Sequence, residues 1–264
     1  MKTTVEAATA GPAATASAPA VMQVDDYTLP KFLLEARRFG SESFGYVVTP
    51  NVDHMIYYHD SSDFRAVYAG ASYVLLDSRV AAFTLRLTHG LRIPVCTGSD
   101  LTAALLDEVI VPGDSIVLIG ARAWQAELLR KRYSLEALHH YDPPMGFMEN
   151  PEEVEKCLQF VEANSPFRFC LLALGTPRQE LLALRLAQRG LARGLTFCVG
   201  ASINFLTGAE QRAPAWMRAV GLEWLYRLLR NPRRLAWRYL VRGPRFFAYV
   251  GSSQILVRGA RPIA

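Results

Sequence analysis

The chain has 264 residues, of which 51% are hydrophobic and 20% are charged, and this balance is typical of a folded protein with a sizeable core. Four widely spaced cysteines without a C-x-x-C pair, and five histidines without ligand spacing, argue against a disulfide framework and a zinc site. The composition therefore excludes a disordered polypeptide and a small disulfide-rich or zinc-stabilised module.

Positive charge is concentrated at the carboxyl-terminal end of the chain. From Arg212 onward there are eleven arginines and a single acid, Glu223, although the net charge of the whole chain is only +5. Such a tail predicts an anionic partner, which could be a lipid headgroup, a nucleic acid or a phosphorylated substrate.

Residues 1–25 are predicted to form a disordered leader. Residues 1–20 are mostly alanine, threonine, serine, proline and glycine, without the continuous apolar run of a signal peptide. No later apolar run reaches the roughly 18–20 residues needed to span a bilayer. We therefore expect the protein to lie on a membrane surface rather than to cross it.

Residues 26–211 are predicted to form a Rossmann-like α/β domain, with a mostly parallel sheet covered by helices on both faces. Short runs rich in Val, Leu, Ile and Phe alternate with longer amphipathic stretches, a pattern typical of this fold class. The predicted strands are residues 45–49, 73–76, 93–96, 115–119, 169–174 and 196–199. The predicted helices are residues 62–69, 101–109, 123–133, 151–163 and 178–188.

Residues 212–264 are predicted to form a helical, arginine-rich appendage that associates with the membrane. A helical stretch over residues 215–229 is broken at Pro232 and resumes to about residue 241. Aromatic residues interleaved with arginines suit a headgroup interface. Alternatively, the aromatic residues complete the core and the arginines form a solvated face, and both interpretations remain open.

Candidate ligand contacts follow the strands, because open parallel sheets bind ligands beyond the carboxyl ends of their strands. The segment from Gly175 to Glu180 combines a tight turn, a helix start and Arg178, which together could hold a phosphate or a sugar. A well-capped turn is the alternative for this segment, and a helix cap is the alternative for Asp77. Dinucleotide and P-loop fingerprints are missing from the sequence, which disfavours nicotinamide dehydrogenases and P-loop NTPases.

Five segments occur in the order and spacing of one family. They are Thr49-Pro50-Asn51, Val74-Leu75-Leu76-Asp77, Gly98-Ser99-Asp100-Leu101, Gly175-Thr176-Pro177-Arg178-Gln179-Glu180, and a closing run with Arg212-Ala213-Pro214, 221–228 and Pro232-Arg233-Arg234. Over about residues 44–247 the chain resembles the WecG/TagA/CpsF family of bacterial glycosyltransferases.

The resemblance implies an enzyme that adds the second sugar to a polyprenyl-diphosphate-linked sugar at the cytoplasmic face of the bacterial inner membrane, as a peripheral protein. The implied donor is a UDP-sugar, either UDP-N-acetylmannosamine, its uronic acid or UDP-glucose. The products would be teichoic acid linkage units, common antigen or exopolysaccharide. Neither a metal ion nor a cofactor is implied, a nucleic-acid partner is not expected, and a homo-oligomer is left open.

By the family's pattern, Asp77 matches the catalytic base of an inverting transfer. The implied substrate-binding residues are Thr49, Asn51, Arg79, Ser99, Asp100, Gly175, Thr176, Arg178, Gln179, Arg212, Arg227 and Arg233. The tail arginines would close over the donor diphosphate, in an appendage that we expect the membrane to order.

Two departures from the family's pattern concern the donor side. The family usually has glycines in a D-G-x-G segment, where this chain has Asp77-Ser78-Arg79-Val80, and Val95 replaces a common arginine whose charge Arg79 could supply. These changes favour an exopolysaccharide-type member, such as a glucosyltransferase. They also leave open an inactive membrane-surface scaffold, and the arginine-rich tail leaves open a nucleic-acid binder.

Overall fold

A six-stranded parallel sheet lies at the centre of the computed structural model, which describes residues 21–259. Within that range the strands are β1 (Val21–Asp25), β2 (Phe44–Val48), β3 (Tyr73–Val74), β4 (Ser115–Gly120), β5 (Ala137–Tyr141), β6 (Phe169–Ala173), β7 (Gly194–Cys198) and β8 (Gln254–Arg258). The central sheet has the order β3-β2-β7-β6-β4-β5, with every pair parallel, and β1 and β8 form a separate parallel pair.

Helices connect the strands and continue through the tail. They are α1 (Leu29–Arg38), α2 (Val52–Asp60), α3 (Ser62–Gly70), α4 (Arg79–His89), α5 (Gly98–Ala104), α6 (Ala123–Arg132), α7 (Pro151–Ala163), α8 (Arg178–Arg189), α9 (Ser202–Leu206), α10 (Ala215–Ala219), α11 (Glu223–Arg230), α12 (Pro232–Ala236) and α13 (Arg245–Ser252). Wider π-helical turns extend α5 over Leu105–Val109 and α12 over Trp237–Arg242, and a short 3-10 helix covers Phe147–Glu149.

Both faces of the central sheet are covered, as successive residues on each strand point in opposite directions. Val48 lies in a core cluster with Leu182 of α8, whereas its neighbour Val47 lies in a second cluster with Phe32 of α1. The predicted fold class, a mostly parallel sheet between two helical layers, is therefore confirmed.

Four helices begin next to the carboxyl edge of this sheet with a side-chain cap. The side chains of Asn51, Ser61, Ser78 and Thr97 accept hydrogen bonds from backbone N–H groups in the first turns of α2, α3, α4 and α5. Such caps replace hydrogen bonds that the first turn of a helix lacks. They fix where the polar loops of this edge end and the helices begin.

The strand predicted at residues 93–96 is not formed. This segment is an extended connection in which the N–H of Cys96 donates to the carbonyl of Leu76 at 2.8 Å, just beyond the end of β3. The structure also contains elements that were not predicted from the sequence: β1, β5, β8, α1, α2, α4, α9 and α13.

The amino-terminal segment differs from its prediction at residues 21–25. These residues form β1, with Met22 and Val24 buried in the core, so the predicted disordered leader of residues 1–25 is corrected there. Residues 1–20 of that leader lie outside the described residues.

The tail is part of the same core as the domain. Phe246 and Val250 of α13 are 0% and 2% exposed and pack with residues of α2 and α4, and the tail ends in a strand rather than a helix. The described part of the tail is therefore mostly helical, as predicted, and its one strand is β8. Across residues 21–259, no helix combines the length and the apolarity that crossing a bilayer requires.

Asp25 joins both ends of the described chain to the central sheet. Its carboxylate is 4% exposed and accepts two hydrogen bonds from Arg258 of β8, at 2.7 and 2.9 Å. The same carboxylate accepts the backbone N–H of Val74 in β3 at 2.6 Å. A buried carboxylate with three donors is costly to disrupt, since its removal leaves those donors without partners.

We expect Asp25→Ala to lower the free energy of unfolding by about 2–3 kcal/mol, because it removes one partner of a largely buried ion pair. Urea unfolding monitored by circular dichroism would measure this loss. Asp26→Ala is the matched control, because the Asp26 side chain is exposed and its backbone N–H bond to Arg258 survives the substitution. Equal losses in the two variants would contradict a special role for Asp25.

Candidate functional site

A cavity of about 870 Å³ lies between the carboxyl ends of β2, β3, β6 and β7 and the tail. Helices α2 and α8 follow β2 and β6 on one face of the sheet, while α9 follows β7 on the other face. Strand ends whose helices diverge in this way leave a crevice, where open α/β sheets bind ligands. Twelve of the sequence-predicted site residues line it: Thr49, Asn51, Asp77, Arg79, Ser99, Asp100, Gly175, Thr176, Arg178, Gln179, Arg212 and Arg227.

Asp77 follows β3 at the base of the cavity. Its backbone N–H donates to the carbonyl of Pro50 at 2.8 Å, and its Oδ1 accepts the N–H of Gly98 at 3.0 Å. Burial raises the pKa of Asp77 to about 7, against the opposing effect of the Gly98 hydrogen bond. The charge of Glu223 adds to the rise in pKa, while those of Arg227 and Arg212 oppose it. A carboxyl group with this pKa can accept a proton near neutral pH.

The start of α5 comes unusually close to the end of β2. A Cβ atom at residue 98 would lie 3.1 Å from Oγ1 of Thr49, so only glycine allows this approach without displacement of the threonine. The approach also lets the Gly98 N–H reach Asp77. Thr49, Gly98 and Asp77 therefore form one packed corner of the cavity.

A buried polar network lies beneath the Gly175–Glu180 segment. Nδ1 of His54 lies 2.8 Å from the hydroxyl of Tyr68, and its Nε2 lies 2.7 Å from the hydroxyl of Thr176. Oε1 of Glu180 accepts from Thr176 at 3.3 Å and from the amide of Gln179 at 2.6 Å. Burial lowers the pKa of His54 to about 3 and raises that of Glu180 to about 7, so the imidazole is neutral.

The network holds Gln179 in a fixed orientation. Its amide oxygen accepts the N–H of Gly200 at 2.9 Å, while its amide nitrogen donates to Glu180. An amide nitrogen carries two hydrogens, so one remains for a ligand. The segment is thus more than a capped turn: its polar groups are anchored to α2 and to the end of β7. His54 and Glu180 were not predicted as site residues from the sequence.

The side-chain amide of Asn51 has its oxygen bonded, and its nitrogen free, within the described part of the protein. Its Oδ1 caps α2 by accepting the N–H groups of Asp53 and His54 at 3.0 and 3.3 Å. This bonding directs the amide nitrogen away from the helix start, and that nitrogen has no hydrogen-bond partner among residues 21–259. It is available as a donor to a ligand.

Asp100 binds the tail rather than presenting a free carboxylate. Its Oδ1 lies 2.7 Å from Arg212 and 3.5 Å from Arg218, and its Oδ2 accepts from the hydroxyl of Thr97 at 2.7 Å. Although burial favours the neutral acid, hydrogen bonds from Arg212 and Thr97 lower the pKa of Asp100. These contacts attach the start of the tail to α5, and they partly neutralise Arg212.

The remaining arginines of the cavity divide into paired and unpaired groups. Arg234 pairs with Glu210 at 3.3 Å, and Arg238 pairs with Asp53. Four others have no ion pair or hydrogen bond with another described residue through their side chains: Arg79, Arg178, Arg227 and Arg242.

Two of these unpaired guanidinium groups rest on aromatic rings. The Arg227 side chain lies 5.7 Å from the ring centre of Phe205, and its buried Nε lacks a hydrogen-bond partner. Arg242 lies 3.8 Å from the ring centre of Tyr57. Aromatic rings hold guanidinium groups in place while leaving their N–H donors free. The cavity therefore presents positioned, unsatisfied donors that suit an anion such as a diphosphate.

Arg233 is the one predicted site residue that the structure does not bring to the cavity. Its side chain is exposed and is not part of the cavity lining, whereas its neighbour Arg234 lines the cavity. Arg238 and Arg242 also line the cavity, although neither was predicted from the sequence. Their i, i+4 spacing places them on one helix face, and this spacing is a signal that could have revealed them.

Within residues 21–259, no group of three or more His, Cys, Asp or Glu side chains is placed to hold a metal ion. A comparison with protein families matches residues 20–259 to the model described as "Glycosyl transferase WecG/TagA/CpsF family". The match extends over the cavity, the tail and both members of the β1–β8 pair.

The raised pKa of Asp77 predicts a pH-dependent effect on stability. Between about pH 4 and 7 the folded state binds more protons at this group than the unfolded state, so its contribution to stability falls as pH rises. Asp77→Asn removes this loss. We expect the variant's gain in unfolding free energy over wild type to be larger at pH 8 than at pH 4.5 by about 2 kcal/mol.

Urea unfolding of both proteins at the two pH values measures that difference. Asp142→Asn, at an exposed aspartate outside the cavity, controls for the general effect of removing one carboxylate. A gain for Asp77→Asn that does not grow with pH would show that the Asp77 carboxyl group is not buried as described.

Proposed function

The chain belongs to the WecG/TagA/CpsF family of glycosyltransferases, and we propose that it transfers a hexosyl or N-acetylhexosaminyl group from a UDP-sugar to a polyprenyl-diphosphate-linked sugar. The proposed reaction inverts the anomeric configuration, uses no metal ion and serves the synthesis of a cell-surface polysaccharide. The observation that carries the proposal is the meeting of Asp77 with the unpaired arginines in one cavity.

In the proposed reaction, Asp77 is the general base. Its carboxylate takes the proton of an acceptor hydroxyl while that oxygen attacks the anomeric carbon of the donor. The bond from the anomeric carbon to the β-phosphate oxygen of UDP breaks, and its electron pair leaves with UDP. A base with a pKa near 7 suits this step, because about half of it is ionised at neutral pH and it is basic enough to accept the proton.

The arginines without carboxylate partners would stabilise the negative charge of the leaving group, UDP. Departure of UDP increases the negative charge on a diphosphate, which preorganised donors stabilise. Arg227 supports this role best, because its buried Nε lacks a partner and its charge acts on Asp77. Arg178 at the start of α8 and Arg242 above Tyr57 would contribute further donors. Arg212 would add positive charge, although it shares Asp100.

The polar groups of the strand ends would hold the sugar and the nucleotide. Asn51 and Gln179 each offer an amide hydrogen, and the Thr49 hydroxyl lines the same corner as Asp77. The buried network under Thr176 and Gln179 would keep these donors oriented while substrates exchange.

We place the enzyme at the cytoplasmic face of the inner membrane as a peripheral protein. The tail carries large exposed apolar side chains close to its arginines, a composition that suits a headgroup region. Those with more than half of their surface exposed are Trp216, Val220, Leu229, Trp237, Leu240, Phe247 and Leu256. An anionic surface would attract this part of the chain and deliver the lipid-linked acceptor to the cavity.

An inactive scaffold is the alternative suggested by the sequence Asp77-Ser78-Arg79-Val80. The conformation of this segment favours activity instead. Ser78 caps α4 by accepting the N–H of Ala81 at 3.1 Å, which turns its side chain into the helix start. Asp77 keeps its bond to Gly98 and remains in the cavity lining.

The decisive test is the release of UDP from a panel of UDP-sugars, with a short-chain polyprenyl-diphosphate-sugar acceptor and EDTA. We expect acceptor-dependent release with one donor, and a loss of at least about 1000-fold in Asp77→Asn, since the base is removed. Wild-type protein that releases no UDP with several acceptors and a lipid surface would favour the scaffold.

The pH profile provides a separate test of the base. Because only ionised Asp77 accepts the proton, kcat/KM should rise with pH and level off above about 7. A flat profile between pH 5 and 8 would exclude Asp77 as the titrating base.

Arg227→Ala should lower kcat/KM by about 30–100-fold, since a charged donor to the leaving diphosphate contributes roughly 2–3 kcal/mol. Arg185→Ala is the matched control, because Arg185 is exposed on α8 outside the cavity. An activity of Arg227→Ala equal to that of Arg185→Ala would remove Arg227 from the mechanism.

A further inference from the structure

A second cavity, of about 720 Å³, lies beside the first, between α4, the connection after it and the end of α10. Arg79, Phe83 and Arg86 reach it from α4, where their i, i+4 and i+7 spacing places them on one helix face. Arg92 from the following connection and Val220 beyond α10 complete the opposite sides.

The charge of this second cavity is uncompensated. Its described lining holds three arginines, Arg79, Arg86 and Arg92, and no acidic side chain. None of the three makes an ion pair or hydrogen bond through its side chain with another described residue, and all three are exposed. Three unpaired guanidinium groups around one concave surface form a strong anion site, with a preference for phosphate geometry.

The rest of the lining is apolar. Phe83 and Val220 are 63% and 65% exposed, and Leu91, Ile93 and Val95 form the wall between the arginines. Leu87, one turn after Phe83 on α4, is 68% exposed, and Trp216, one turn before Val220, is 65% exposed. A simple anion would not need these surfaces. The combination suits an amphiphile that carries phosphate next to a hydrocarbon chain.

The two cavities meet at Arg79, Val80 and Gly221, which line both. Gly221 lies directly on the start of α4, since a Cβ atom there would be 3.4 Å from Cβ of Arg79. Arg79 is two residues after Asp77, so the second cavity opens beside the proposed base. In a sugar whose hydroxyl reaches Asp77, the group on the anomeric carbon lies only one ring away, a separation that this junction can accommodate.

We propose that the second cavity binds the acceptor, with the diphosphate of the polyprenyl-linked sugar on Arg86 and Arg92 and the first isoprene units on Phe83 and Val220. This assignment rests on the proposed function. Arg79 at the junction contacts the phosphate nearest to the sugar. The donor diphosphate and the acceptor diphosphate thus occupy separate arginine groups on the two sides of Asp77.

The site can be tested with farnesyl diphosphate, a soluble probe that carries both a diphosphate and an isoprenoid chain. Isothermal titration calorimetry measures its binding. Wild-type protein should bind it at least tenfold more tightly than inorganic diphosphate or farnesol. The double variant Arg86→Ala, Arg92→Ala should bind it at least 30-fold more weakly, as each lost charged hydrogen bond costs roughly tenfold. Arg185→Ala should bind the probe as wild type does, and equal binding by the double variant would overturn the proposal.

Kinetics separate the acceptor site from the donor site. In the double variant we expect KM for the polyprenyl-diphosphate-sugar to rise at least tenfold, with KM for the UDP-sugar within twofold of wild type. A matching rise in the donor KM, or no change in the acceptor KM, would contradict the assignment. Thermal unfolding of the variant checks that these exposed substitutions leave the fold intact.

Vesicle binding distinguishes the acceptor diphosphate from general headgroup attraction. The double variant should bind more weakly than wild type to phosphatidylcholine vesicles that contain a few mole per cent of polyprenyl diphosphate. It should bind as well as wild type to vesicles in which phosphatidylglycerol supplies the same charge. An equal loss of binding to both kinds of vesicle would show that the arginines form a nonspecific anion-binding surface, and it would overturn the proposal. Probe binding by a wild-type protein without transferase activity would instead leave the site standing and refute the proposed function.

Discussion

Parallel pairing of β2 with β3 and β7, and of β7 with β6, brings four strand ends to one edge of the sheet. At that edge the backbone loses its ladder partners, so polar loops and helix caps must supply hydrogen bonds. Asn51 and Thr97 do so for α2 and α5, and the Gly98 N–H bonds Asp77. The cavity thus lies where the parallel strands end. The chemistry of its lining is that of the residues that form hydrogen bonds with the backbone groups at those ends.

The electrostatics of the cavity depend on which arginines already have partners. Asp100 draws Arg212 and Arg218 to α5, and Asp53 holds Arg238, so several cations of the tail serve attachment. The unpaired arginines line the same cavity as Asp77, where burial keeps the pKa of the carboxyl group near neutrality despite the charges of Arg227 and Arg212. The tail has more arginines than its acidic partners can pair with. Some of these arginines therefore attach the tail, and others line the anion site.

The sequence predicted which residues line the cavity better than it predicted the elements around them. Thr49, Asp77 and the Gly175–Glu180 segment each follow an apolar strand, so the parallel sheet alone brought them together. In contrast, β1 and β8 pair across almost the whole chain, and no local pattern reveals such a partner. The tail arginines show the same limit. Arg233 and Arg234 are neighbours in α12 and both are exposed, yet only Arg234 lines the cavity, and only the tertiary packing determines which side of α12 meets it.

Pairing of β1 with β8 also has a consequence for biosynthesis. Met22 and Val24 of β1 share a core cluster with Phe246 and Val250 of α13, so this part of the interior stays open until the last helix has left the ribosome. Until then, apolar surface on α2 and α4 has no cover, and such surface promotes association of nascent chains. The contact is also of very high sequence separation, which slows folding. Protection of the nascent protein from aggregation therefore depends on the synthesis of α13.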